Sequence, residues 1–105
     1  KVLFVKDGAA EPFIILDAGM TDLLRPALYH AYHRIDNLTS ALPGKKYTVA
    51  GPICETADTF ARFIELPETR RGDLIAIRSA GAYGEVMASR YNLRTLPQSV
   101  FSEKL

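Results

Sequence analysis

Short runs of β-branched and aromatic residues, separated by glycine, proline and charged residues, restrict this chain to a fold built from short strands. The predicted strands cover residues 2–5, 13–16, 47–50, 74–78, 85–91 and 100–101. The first two should pair as an antiparallel hairpin, and the run at 74–78 should be buried on most sides. About six such strands predict a mainly β domain, an antiparallel β-barrel or sandwich. A parallel α/β fold is disfavoured because the chain lacks the helices that it needs.

One helical interruption is predicted within residues 21–32. Thr21 or Asp22 is a candidate cap for its first turn, and Pro26 suits the start of a second turn. Segment 59–66 has a mixed hydrophobic period, so helix and strand are both open there.

The composition is that of one domain with little net charge. A chain of 105 residues with 48% hydrophobic and 24% charged residues can bury a modest core. Its 13 basic and 12 acidic residues are spread along the sequence and give a net charge of +1. The sequence has no polybasic face of the kind that binds nucleic acid or an anionic membrane, so we expect neither as a partner.

Cysteine usage and the absence of targeting segments favour a cytoplasmic location. One cysteine cannot form an internal disulfide, which fits a reducing compartment. The sequence has no apolar run of about 18 residues and no signal-peptide h-region near its start. It begins directly with strand-like residues and without methionine, so we expect it to be part of a longer polypeptide.

A Gly-Pro turn within residues 51–55 places the only thiol, Cys54, beside the carboxylate of Glu55. The turn follows the predicted strand 47–50, so its polar residues are expected at the mouth of the scaffold, where binding groups tend to lie. The alternative is that Cys54 is a small buried hydrophobic residue. The negative charge of Glu55 disfavours a thiolate, so a protonated Cys54 would serve better as a proton donor than as a nucleophile.

Two further groups of residues are candidates for ligand contacts. Arg25 and Tyr29 are four residues apart, so on a continuous helical turn they would share a face and could hold one ligand. The alternative is that Tyr29 packs in the core and Arg25 is a solvated charge. At residues 81–84, two glycines bracket Tyr83 and permit an unusual backbone path.

The patterns of metal and nucleotide sites are missing from the sequence. Cys54 has no C-x-x-C partner, and His30 and His33 lack an obvious third ligand, so we expect no metal site. The motifs GxxxxGK[ST] and GxGxxG are both absent. Cys54 with either histidine would be a nucleophile pair, but no local motif supports a thiol hydrolase.

Six blocks of sequence carry a family resemblance when they are taken together. They are DAGM at 17–20, RPALY at 25–29, GPICE at 51–55, GDL at 72–74, GAYG at 81–84 and MASRYN at 87–92. In this order and at these intervals they resemble the carboxy-terminal domain of the diaminopimelate decarboxylase family, over nearly the whole chain. The ornithine and arginine decarboxylases of the wider group share the cysteine and acid pair but not the full RPALY block.

The resemblance implies the alanine-racemase-like fold, fold type III, of decarboxylases that use pyridoxal 5'-phosphate. In that family an amino-terminal (β/α)8 barrel holds the cofactor on a lysine, and a carboxy-terminal β-domain completes the active site. Residues 1–105 resemble the second domain only, because none matches the Schiff-base lysine motif or the barrel's phosphate-binding glycines. The family also implies a homodimer in which the cysteine and its acid reach into the partner subunit's active site.

Site residues follow from the matching blocks. Cys54 resembles the acid that protonates the substrate carbanion after carbon dioxide leaves, and Glu55 resembles the group that binds the distal ammonium. Arg25 and Tyr29 resemble the residues that bind the distal carboxylate. Tyr83 resembles a residue that contacts the cofactor near its phosphate, and also the substrate. A guanidinium and a carboxylate complement the zwitterionic distal end of diaminopimelate.

The implied activity is that of a meso-diaminopimelate decarboxylase, which forms L-lysine and carbon dioxide in the last step of lysine biosynthesis. This chain alone is expected to be inactive. The alternatives are a relative that decarboxylates ornithine, arginine or carboxynorspermidine, and a non-catalytic β-barrel that docks on a decarboxylase. Five other polar residues are interpreted as structural or solvated: Asp17, His30, His33, Glu85 and Tyr91.

Overall fold

The computed structural model describes residues 1–7, 11–53 and 55–104. Within them the elements are β1 (Val2–Lys6), β2 (Phe13–Leu16), α1 (Arg25–Tyr29), β3 (Ile35–Asn37), β4 (Gly44–Ala50), β5 (Thr59–Pro67), β6 (Ile75–Ile77) and α2 (Gly81–Gly84). Two short 3-10 helices follow, at Tyr91–Leu93 and Ser102–Lys104. The prediction of a mainly β domain is confirmed.

The larger sheet has four strands in the order β1, β2, β4, β5. β1 and β2 pair antiparallel, with Val2 opposite Leu16, so the predicted hairpin is confirmed. β4 and β5 are also antiparallel. β2 and β4 instead run parallel, with Ile14 opposite Val49, so the expectation of a wholly antiparallel sheet is wrong at this pair. Parallel neighbours need a long connection, and residues 17–43 supply it.

A second, two-stranded sheet pairs β3 with β6, antiparallel, with Ile35 opposite Ile77. β6 has three residues, all half-buried, so the prediction of a strand buried on most sides at 74–78 is wrong. Its only paired neighbour among the described strands is β3, which leaves one edge less covered than that of a central strand. The strands in the described part of the chain form these two sheets and do not close into a barrel.

Apolar side chains from both sheets form one buried cluster. Its members are Val2, Ile14, Leu16, Leu23, Ile35, Tyr47, Val49, Phe60 and Leu66. In β2 the residues at 14 and 16 are buried while those at 13 and 15 are half-buried, as the alternation of a strand requires. The hydroxyl of buried Tyr47 accepts a hydrogen bond from Thr69 N at 3.0 Å. This bond offsets the desolvation penalty of burying the phenol oxygen.

α1 is shorter than the predicted helical segment. Pro26 lies in its first turn, as expected from the fixed φ of proline. Neither Thr21 nor Asp22 caps the helix, because the cap position is held by Leu24, which makes no side-chain cap hydrogen bond. The Asp22 carboxylate accepts a hydrogen bond from Gly19 N at 2.9 Å instead, so it closes the turn before the helix.

The last quarter of the chain departs most from the sequence prediction. Residues 85–91 and 100–101 are predicted as strands, but they form no strand. Ser89 N donates to Thr21 O at 2.9 Å, so this region is held by a loop rather than by a neighbouring strand. Earlier in the chain, segment 59–66, which the sequence leaves open between helix and strand, forms β5. An alternating apolar pattern becomes a strand only where another edge is available for pairing.

Candidate functional site

Residues 51–58 connect β4 to β5 as a tight loop that contains the candidate thiol and its acidic neighbour. Gly51 N donates to Asp58 O at 3.0 Å, and Asp58 N donates to Glu55 O at 3.1 Å. Glu55 N donates to Ile53 O at 2.8 Å. These bonds fold the loop back on itself and leave the Glu55 side chain exposed.

Asp58 joins this loop to the neighbouring loop at residues 17–20. Its side chain is 3% exposed, and its two carboxylate oxygens accept from Met20 N and Ile53 N, each at 2.7 Å. Burial raises the pKa of the Asp58 carboxyl, although the two backbone N–H groups act in the opposite direction. The sequence alone does not single out Asp58, because a single aspartate before a strand carries no pattern that separates a buried anchor from a solvated residue.

The two loops pass each other in close contact at Gly19 and Gly51. A Cβ atom added to Gly51 would lie 2.5 Å from Gly19 Cα and 2.5 Å from an Asp58 carboxylate oxygen. A Cβ atom added to Gly19 would lie 3.0 Å from the same carboxylate. Position 51 therefore requires glycine because another backbone approaches it closely, a reason that the Gly-Pro turn in the sequence does not reveal.

A cleft of about 460 Å³ lies between these loops and the segment that follows α2. Its lining residues are Met20, Thr21, Leu24, Glu55, Ala57, Ser89 and Tyr91. The lining is mostly apolar, and among the described lining residues Glu55 supplies the one carboxylate. Clefts with apolar walls and a few placed polar groups are typical of small-molecule sites. The combination fits a ligand with an aliphatic chain and a cationic end.

Tyr91 contacts the candidate acid directly. Its hydroxyl donates a hydrogen bond to Glu55 Oε1 at 2.5 Å. Tyr91, interpreted from the sequence as a structural or solvated residue, lines the same cleft as Glu55. The two residues are 36 positions apart, so no local spacing could have paired them.

Arg25 and Tyr29 lie at the two ends of α1, one turn apart, as their spacing predicts. Tyr29 is 61% exposed, so the alternative that it packs in the core is wrong. Arg25 is half-buried. Neither residue lines the cleft that contains Glu55. The structure therefore does not bring the guanidinium and the carboxylate to one cleft of this chain.

Tyr83 has a left-handed backbone, with φ at +66°, within α2. This conformation costs a residue other than glycine about 1–2 kcal/mol. An unusual backbone path is confirmed here, but Tyr83 itself adopts it, while neither Gly81 nor Gly84 has a positive φ. Such strain is concentrated at functional sites. The Tyr83 side chain is exposed and does not line the cleft of Glu55.

Cys54 lies outside the residues that the structure describes. The residues on either side of it, Ile53 and Glu55, are both held by hydrogen bonds of the loop. The role of its thiol as a proton donor stays a prediction.

Other polar candidates lie away from the cleft. His33 is buried, and its Nδ1 lies 2.9 Å from Arg78 O, which agrees with its interpretation as a structural residue. Over residues 1–7, 11–53 and 55–104, no three potential metal ligands come together. The same ranges contain no helix long and apolar enough to cross a membrane.

Comparison with known families identifies the domain. A model of the pyridoxal-dependent decarboxylase C-terminal sheet domain matches residues 1–81. The chain belongs to this family. The matched residues include the two loops at 17–20 and 51–58, whereas Ser89 and Tyr91 of the cleft follow the matched range. The resemblance predicted from six sequence blocks is confirmed.

Relatives that match the sheet domain over most of its length are diaminopimelate decarboxylases. The one from Bacteroides thetaiotaomicron is 60% identical over 105 residues, covering 100% of this chain and 27% of the relative. A crystal structure of the enzyme from Methanocaldococcus jannaschii has a TM-score of 0.89 at 41% identity, covering 92% of this chain and 22% of that chain.

A more distant solved structure also matches the fold. SrLDC in complex with PLP and cadaverine has a TM-score of 0.87 at 27% identity, covering 99% of this chain and 27% of that chain. The sheet domain spans about a quarter of the length of these proteins.

Proposed function

We propose that this chain is the carboxy-terminal sheet domain of a pyridoxal-phosphate-dependent meso-diaminopimelate decarboxylase. The complete enzyme would convert meso-2,6-diaminopimelate to L-lysine and carbon dioxide in lysine biosynthesis. The observation that carries the proposal is 60% identity over all 105 residues with the enzyme from Bacteroides thetaiotaomicron. A further M. jannaschii structure, solved with L-lysine, matches with a TM-score of 0.88 and supports the same substrate class.

The proposed enzyme has an amino-terminal (β/α)8 barrel and acts as a cytoplasmic homodimer. A sandwich arrangement of the two sheets is part of this proposal. Large apolar side chains are exposed, including Leu28 and Leu93, and such surfaces are typical of domains that pack against others. Because Glu55 and the α1 pair do not share a cleft in one chain, each active site of the proposed dimer would take Arg25 and Tyr29 from one subunit and Glu55 from the other.

The side chains of this chain fit one edge of a pyridoxal phosphate site. Tyr83 presents an exposed phenol from a strained backbone and can contact the cofactor near its phosphate. Among the residues that the structure describes, no lysine lines the cleft of Glu55, and Lys45 is paired with Asp7 at 2.7 Å. The lysine that holds the cofactor is therefore assigned to the barrel. The bound cofactor would act as the electron sink for loss of carbon dioxide.

The chain's own residues would bind the end of the substrate that does not react. Arg25 and Tyr29 are assigned to the distal carboxylate, since a guanidinium forms charge-assisted hydrogen bonds with a carboxylate. Glu55 is assigned to the distal ammonium, which an exposed carboxylate on an apolar cleft can hold. This pairing selects a zwitterion over a simple diamine.

Cys54 is assigned as the acid that gives a proton to the carbon from which carbon dioxide leaves. A negative charge on neighbouring Glu55 would disfavour the thiolate form, which suits a proton donor better than a nucleophile. Replacing Cys54 with alanine in the complete enzyme should lower turnover by about two orders of magnitude or more while pyridoxal phosphate still binds, as cofactor absorbance would show. Near-normal turnover in this variant would remove Cys54 from the role.

The decisive assay uses the complete protein that contains this chain, with pyridoxal phosphate added. We expect lysine and carbon dioxide from meso-diaminopimelate, and much slower release of carbon dioxide from ornithine, arginine or carboxynorspermidine. The match to SrLDC with cadaverine makes an amine-forming relative the comparison that matters. Activity on one of those substrates alone would favour that relative, and activity on none would favour a non-catalytic module.

Arg25 separates the two enzyme classes. Replacing Arg25 with alanine should lower kcat/KM for meso-diaminopimelate by about 100-fold, because a charge-assisted bond to the distal carboxylate is lost. A decarboxylase of ornithine, which has no distal carboxylate, would lose much less. Unchanged kcat/KM for diaminopimelate would show that Arg25 does not bind its carboxylate.

A further inference from the structure

The hydrogen bond between Tyr91 and Glu55 joins the segment after α2 to the loop that carries the candidate acid. The phenol donates to Glu55 Oε1 at 2.5 Å, and both side chains line the same mainly apolar cleft. An O–H donor bound to a carboxylate at this distance is a charge-assisted hydrogen bond, stronger than a neutral one.

Tyr91 is itself fixed by the fold on both sides. Ser89 N, just before it, donates to Thr21 O at 2.9 Å. Just after it, the Arg94 guanidinium donates to Asp17 O. The segment that carries Tyr91 is thus tied to the loop that forms one wall of the cleft.

Packing restrains the Glu55 side chain little, because that side chain is exposed. A free glutamate side chain loses conformational entropy when it is fixed in one position. If a partner already fixes the carboxylate, a cationic ligand does not have to supply that ordering when it binds.

We propose that Tyr91 is a positioning residue that holds the Glu55 carboxylate on the cleft for the distal ammonium of the substrate. The inference rests on the proposed function, and it assigns part of the specificity for a zwitterionic distal end to a residue outside the cysteine and acid pair. Tyr91 need not touch the reacting carbon to do this.

The test replaces Tyr91 with phenylalanine in the complete enzyme, which keeps the ring and removes only the hydroxyl. KM for meso-diaminopimelate should rise about tenfold, with kcat changed less than about threefold, because the lost bond orders a binding group rather than the chemical step. The affinity for L-lysine, which retains the same distal end, should fall by a similar factor. Tyr32→Phe is the matched control, since Tyr32 is exposed and outside the cleft, and it should leave KM unchanged.

A double-mutant cycle with Glu55→Gln separates positioning from a purely structural role. If Tyr91 acts through Glu55, adding Tyr91→Phe to Glu55→Gln should raise KM by less than about twofold. An unchanged KM in Tyr91→Phe, or full additivity in the cycle, overturns the inference while leaving the proposed function intact. Lack of activity on diaminopimelate in the parent enzyme overturns the proposed function and, with it, this inference.

Discussion

At the scale of single residues, a buried carboxylate determines how the two loops of the cleft are held together. Asp58 receives the backbone N–H groups of Met20 and Ile53 on its two oxygens, which an alanine cannot do and an asparagine can do only in part. The residue before Cys54 and a wall of the cleft therefore depend on one side chain.

Replacing Asp58 with alanine should destabilise the chain by about 2–5 kcal/mol, because two backbone donors lose their acceptor in a buried position. Asp58→Asn should cost less, since its amide oxygen retains one acceptor. Urea unfolding of the 105-residue chain, followed by tyrosine fluorescence, measures both, because the chain has five tyrosines and no tryptophan. A loss of less than about 0.5 kcal/mol in Asp58→Ala would contradict this account.

The shifted pKa of Asp58 should make the stability of the chain depend on pH. Burial raises the folded-state pKa of Asp58 above its usual 3.8. Between these two values the folded chain binds a proton that the unfolded chain has released, so the contribution of Asp58 to stability falls as pH rises through that window. Wild type should therefore lose stability relative to Asp58→Asn as pH rises above 3.8, which paired unfolding curves would measure. A difference that grows in favour of wild type would give the pKa shift the opposite sign.

At the scale of elements, the loops at residues 17–20 and 51–58 pass so closely that position 51 has no room for a side chain. Gly51→Ala should destabilise the chain by more than about 2 kcal/mol, because the new methyl group meets the backbone of Gly19 as well as the Asp58 carboxylate. Gly81→Ala is a matched control: a Cβ atom there meets nothing within 4 Å, and its φ is not positive. Thermal unfolding of the two variants makes the comparison, and equal losses would show that the passage tolerates a side chain.

A hydrophobic pattern alone does not predict every strand of this fold. β1, β2 and β4 follow from their apolar runs, because each finds a neighbouring strand. The equally alternating run at 85–91 finds none, and its backbone bonds to a loop. The relative direction of paired strands cannot be read from their sequences either. Nothing in β2 or β4 specifies that they pair parallel, because this depends on the long connection between them.

At the scale of the whole molecule, exposed apolar side chains are concentrated after α2. They include Val86, Leu93, Leu96, Val100 and Phe101, and Leu93 is 99% exposed. Surfaces of this kind are typical of a domain that is covered in its complete protein. The isolated chain should therefore be both inactive and prone to associate.

The 105-residue chain alone should self-associate as its concentration rises, and Leu93→Ser should weaken that association. Sedimentation velocity across a range of concentrations measures the effect. Leu38→Ser, at an exposed position just after β3, is the control and should change it less. A chain that stays monomeric throughout would show that this surface does not drive association.

The amino-acid sequence by itself determined the mainly β character, the first hairpin and the family, because these depend on local alternation and on blocks of adjacent residues. It also singled out Tyr83, whose backbone is strained, and Glu55, which lies on the cleft. Only the tertiary structure decided the parallel pair, the Asp58 anchor and the contact of Tyr91 with Glu55. Each of these joins residues far apart in the chain, and their meeting depends on how the loops pack, which no local pattern encodes.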